Sequence, residues 1–132
     1  MKKTFVYVNI IFWLLFLACF SSENKFVKSA GKNFYVDSAV EISGDGSSWE
    51  KAWKELDKIN YKPIGLGDII NIKAGTYNTI MRIKASGTPS NLLVIKPIGQ
   101  VFLTRGIRVE PGFDYVKIDG FDISNTIKFS IT

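Results

Sequence analysis

The stretch DYVKIDGFDISN, residues 114–125, decides how this chain is read. Its core, YVKID (115–119), alternates apolar and polar residues, which is the pattern of a half-buried strand. The same pattern occurs twice upstream, as IINIK (69–73) and LLVIK (92–96). Ile70, Leu93 and Val116 are spaced by 23 and 23 residues, and so are Ile72, Ile95 and Ile118. A second set lies between them: MRIKA (81–85), IRVEP (107–111) and IKFSI (127–131). Its matching positions Ile83, Val109 and Ile131 are spaced by 26 and 22. Turn residues mark the corners: Gly75 and Asn78, the run 87–91, the run 97–99, Gly112 and Gly120.

A recurrence of 22–26 residues with two short strands in each period describes a coil. One such repeat cannot bury its own apolar face, so successive repeats must stack. The expected fold is all-β: a short parallel solenoid of about two and a half coils. Ile70, Leu93 and Val116 are expected in one inward column, and Ile72, Ile95 and Ile118 in the next. An antiparallel sandwich or barrel also has short strands and frequent turns. It does not account for two columns with a spacing of 23.

Upstream, Phe34 and Val36 alternate with Tyr35 and Asp37 and read as a short strand; SGDGSS (43–48) reads as a loop. Next comes SSWEKAWKELDKIN (47–60). Ser47 with Glu50 has the form of a capping box. Trp49, Ala52, Trp53, Leu56 and Ile59 fall at helical spacing on one face. This pattern predicts a capping α-helix over 47–60, ended by Pro63, Gly65 and Gly67.

The chain has 132 residues, enough for one domain. It opens with Lys2 and Lys3 and an apolar run from Phe5 to Ala18. That run as a helix spans about 21 Å, short of the roughly 30 Å hydrocarbon core. A positive start, apolar middle and small final residue fit a signal peptide over 1–18. An uncleaved anchor is the alternative. FLAC (16–19) resembles a bacterial lipobox with Cys19 as lipid acceptor, although Phe16 and Leu17 depart from the usual Leu and small residue. Residues 19–32 would then be a tether, with the domain over 33–132. Removing 1–18 lowers the formal charge from +5 to +3, which carries no nucleic-acid footprint. There is no histidine and one cysteine. No intrachain disulfide, Ser-His-Asp set or Cys/His metal spacing can be built from that inventory.

The order of motifs also resembles the N-terminal part of right-handed parallel β-helix proteins of the pectate-lyase-like superfamily. FYVDSAVEISGDGSSWEKAWKELDKIN is similar to the family's opening strand, loop and capping helix. GDIINIKAGTYN resembles its first coil, ASGTPSNLLVIKPIG its second corner and strand, and DYVKIDGFDISN the rung that begins the stack. The resemblance covers about 33–125. It implies a right-handed coil and a link to polysaccharides. It does not imply one activity, since members include lyases, hydrolases, epimerases and non-enzymatic surface proteins. The family's catalytic and calcium-binding residues tend to lie on middle coils that have no counterpart among these motifs.

Candidate site residues follow from the strand pattern. With Ile83 and Val109 inward, Arg82, Lys84, Arg108 and Glu110 point outward. They form a basic stripe suited to an acidic polysaccharide; Lys73 and Lys96 are expected to align on the other sheet. A solvated face with cross-strand ion pairs is the ordinary alternative. Asp114, Asp119 and Asp122 are candidates for Ca2+, which takes six or more oxygens. Turn and surface aspartates are the ordinary reading of all three. The functional expectation is an exported β-helix protein of the bacterial envelope, truncated or catalytically incomplete, with carbohydrate binding at most. The alternatives are a polysaccharide lyase or glycosidase, and a surface protein that self-associates through IKFSIT (127–132), an edge that a capping partner could also cover.

Overall fold

The structure, a computed structural model, describes residues 30–121. Six strands follow one another: β1 (Asn33–Val36), β2 (Ile69–Tyr77), β3 (Met81–Ile83), β4 (Leu93–Leu103), β5 (Ile107–Val109) and β6 (Val116–Ile118). One sheet has the order β1-β2-β4-β6, and β3 and β5 form a second. Each pairing is parallel. Parallel neighbours need a crossover rather than a hairpin. Here β3 lies on the crossover from β2 to β4, and β5 on that from β4 to β6. The chain therefore alternates between two parallel sheets and adds one strand to each as it goes.

Alternation along the strands places the core. Ile70, Ile72, Leu93 and Ile95 are fully buried in the larger sheet, and Met81 and Ile83 in the smaller. They join Phe34, Val36, Trp53, Leu56 and Ile107 in one apolar cluster. Full burial of an Ile or Leu side chain contributes about 2 kcal/mol, so these stacked columns carry the fold.

The register differs from expectation in one step. β6 pairs with β4 at the expected spacing, Leu93 with Val116 and Ile95 with Ile118. β5 pairs with β3 as expected, Ile83 with Val109. Between β2 and β4, however, Ile70 faces Ile95 and Ile72 faces Pro97. Two backbone bonds hold this slip: Gly67 N–H donates to Asn91 O (3.2 Å), and Val94 N–H to Asp68 O (2.9 Å). The side-chain period of a strand is two, so a slip of two residues keeps the same side chains inward. It does change outward neighbours: Lys96 stands beside Asn71, and Lys73 beside Ile98. Lys73 and Lys96 are therefore not aligned.

The expected α-helix over 47–60 is absent. That segment's helical content is a single 3-10 turn, Leu56–Lys58. Ser47 caps nothing: its amide (3.0 Å) and hydroxyl (2.6 Å) both donate to Asp45 Oδ1. The cause is prior commitment of the backbone. The carbonyls of Lys51 and Ala52 accept from Gly46 N–H (2.7 Å) and Gly44 N–H (2.9 Å), whereas a helix would need them four residues onward. Trp53 instead joins the sheet edge beside β1, donating to Tyr35 O (3.0 Å) and accepting from Asp37 N–H (2.9 Å). Ala52, Trp53, Leu56 and Ile59 are buried, so they cap the first strand without a helix. Trp49 packs elsewhere, on the outer face against Tyr35 with ring centroids 4.6 Å apart.

Candidate functional site

The smaller sheet displays the basic residues. Met81, Ile83 and Ile107 are buried, so alternation turns Arg82, Lys84 and Arg108 outward, and all three are exposed. Arg82 and Arg108 stand opposite each other in the register. Like charges directly opposite repel, and one carboxylate relieves them. Glu110, placed by its amide bonding to Ile83 O (3.0 Å), accepts from Arg82 Nη1 at 2.8 Å. The hydrogen bond from Arg82 holds the Glu110 carboxyl below its ordinary range, against a smaller opposing effect of burial. The charges of Arg82, Arg108 and Lys84 add to that lowering. Three cations thus surround one acid. Among the described residues, Lys84 and Arg108 make no ion pair.

The same face borders a small cleft of about 90 Å³. Arg82, Lys84 and Ile80 line one side; Leu56, Asp57, Ile59 and Tyr61 line the other. Sequence reasoning missed Tyr61. Its hydroxyl is buried and has no hydrogen-bond partner among the described residues. Burial alone pushes the phenol well above its ordinary value, so it is a neutral donor at any physiological pH. The only sequence signal was an aromatic residue among polar neighbours, Asn60 and Lys62, where no strand or helix period placed it.

Of the calcium candidates, two lie among the described residues. Asp114 and Asp119 are exposed. Asp119 accepts from Lys117 Nζ at 2.9 Å. Among the described residues no three acidic, histidine or cysteine side chains gather to hold a metal ion. Asp122 lies outside the described residues, as do Cys19, the signal segment 1–18 and the edge 127–132. On the larger sheet, Lys73 is held by Asp37 at 2.6 Å and lies 5.7 Å from the centre of the Trp49 ring. It belongs to the packing of the loop over β1 and β2. Tyr77 is fully buried at the first corner, donating to Lys73 O at 2.9 Å.

No family model, curated protein or solved structure matches this chain. By its fold the chain is an all-β protein built on parallel sheets.

Proposed function

We propose that this chain is an exported, lipid-anchored protein that binds acidic polysaccharide without transforming it. In this reading the alternation between two parallel sheets is the start of a right-handed parallel β-helix. The basic face of β3 and β5 is the binding surface. The observation that carries the reading is the stacking of Arg82 on Arg108, with Lys84 beside them and a single carboxylate, Glu110, among the three. Stacked strands repeat a cation about every 4.8 Å, and a surface that repeats one sign of charge favours a partner that repeats the other.

Binding rather than turnover is favoured by the state of the acids. Proton abstraction beside a carboxylate needs a base and a means of neutralising the developing charge. Glu110 is tied to Arg82, and Asp119 is tied to Lys117. Export rests on Lys2, Lys3 and the apolar run to Ala18, and anchoring on Cys19. Electrophoresis through a gel carrying polygalacturonate tests the binding. The full chain is expected to be retarded there and not in a gel carrying neutral dextran. Equal mobility in both gels contradicts the reading.

A further inference from the structure

The fields of three cations meet at one point of the β3–β5 face, and the protein's own acid stands there. Glu110 accepts from Arg82 Nη1 at 2.8 Å, and the charges of Arg82, Arg108 and Lys84 all favour its ionised form. Where an external anion would gain most, a carboxylate is already in place. Its hold is a side-chain contact. The Glu110 backbone is fixed separately, by its amide on Ile83 O (3.0 Å), so the carboxylate can change rotamer without disturbing β5. Arg82 is the more open partner: its side chain is 47% exposed, against 21% for Glu110. Among the described residues, Glu110 is the one hydrogen-bond acceptor of the Arg82 side chain. A guanidinium has further N–H donors, so an incoming anion can engage Arg82 before Glu110 leaves.

We propose that Glu110 is a built-in competitor for the ligand: it holds Arg82 in the free protein, and a bound polyanion displaces it. This inference rests on the reading of the β3–β5 face as a polyanion surface and adds how that face is regulated. A group tethered beside its partner competes at a high effective concentration. A lone anion must therefore exchange one carboxylate contact for another, and gains little. A polymer meets a different balance. Among the described residues, Lys84 and Arg108 make no ion pair, so they can hold the polymer first. The exchange at Arg82 then becomes local for the polymer as well. Glu110 thereby sets a length threshold, admitting repeated charge and refusing single ions.

Calorimetric titration of the full chain in non-ionic detergent tests it, with polygalacturonate, inorganic polyphosphate and acetate as probes. Both polymers are expected to bind and acetate not. Glu110→Gln, which keeps the side chain's shape and removes its charge, is expected to bind the polymers about threefold more tightly. In an Arg82→Gln background the same change is expected to have little effect, because the competition is for Arg82. A gain of equal size in that background means that Glu110 only repels the polymer at a distance, and overturns the proposal. Unchanged binding in Glu110→Gln overturns it too, as does weaker binding, which would make Glu110 a residue that aligns Arg82 for the ligand. The two readings also fail separately. Polygalacturonate binding that needs Lys84 and Arg108 but ignores Glu110→Gln removes the competitor alone. An Arg82-dependent gain with polyphosphate, and no binding of polygalacturonate by either protein, removes the polysaccharide reading alone.

Discussion

Gly46 lies against the indole of Trp53, so closely that a Cβ on Gly46 would stand 2.6 Å from Trp53 Cε2. Gly46 also holds φ +80°, a conformation that costs other residues about 1 kcal/mol or more. Trp53 is buried and fixed by backbone bonds to Tyr35 in β1 and to Asp37 just after it, so the ring cannot yield. Gly46→Ala is expected to lower stability by more than about 2 kcal/mol, combining the backbone cost with overpacking. Gly65→Ala, where nothing lies within 4 Å, is expected to stay within about 0.5 kcal/mol. Urea denaturation of both variants checks this. Equal effects would mean that Trp53 does not sit on Gly46.

This contact also explains the failed helix. Trp49, Ala52, Trp53, Leu56 and Ile59 have helical spacing, and four of the five are buried. Spacing reports which residues turn inward, not which backbone bonds they make. Those bonds depend on Gly44 and Gly46, which reach across to Ala52 and Lys51. Nothing local in the sequence distinguishes that arrangement from a capped helix. The strand columns were legible because alternation is a local property, and Arg82, Lys84 and Arg108 were found through it. The slip between β2 and β4 was not legible, since a shift of two residues leaves every inward side chain inward. Tyr61 escaped notice because its importance lies in a missing partner.

Ile95 tests the stacked columns. It is fully buried between Ile70 and Ile118, while Ile98 in the same strand is 39% exposed. Ile95→Ala is expected to cost about 3 kcal/mol. Ile98→Ser is expected to change stability by less than about 0.5 kcal/mol. Denaturant midpoints at constant slope measure both. A large loss at Ile98 would place the wrong face inward.

Tyr61→Phe is expected to stabilise the free chain. It removes a buried hydroxyl with no partner among the described residues, a group whose burial costs about 1 kcal/mol or more. Thermal unfolding without ligand checks this, and a lower melting temperature would show that the hydroxyl has a partner.

Asp37 links stability to pH. It is 5% exposed and its carboxyl lies below its ordinary range. Burial alone would raise it. The hydrogen bond from Lys73, that from the Ala39 amide and the charge of Lys73 together outweigh burial. A carboxyl depressed in the folded state contributes stability that is complete above its unfolded value near 4 and is lost as pH falls through the lower folded value. Acid unfolding is therefore expected below about pH 4, with a shallower dependence in Asp37→Asn. Identical acid profiles for the two proteins would remove the Asp37–Lys73 pair from the account.

The most direct test of the central claim is the affinity for polygalacturonate measured over a range of salt concentrations, for the unaltered chain and for Lys84→Ala/Arg108→Ala. Both residues are exposed, so their removal should leave the fold intact. The unaltered chain is expected to bind, to weaken as salt screens the face, and to lose at least about tenfold when both cations are removed. Binding that is equal in the double variant, or equal for a neutral polymer, would contradict the assignment of the β3–β5 face.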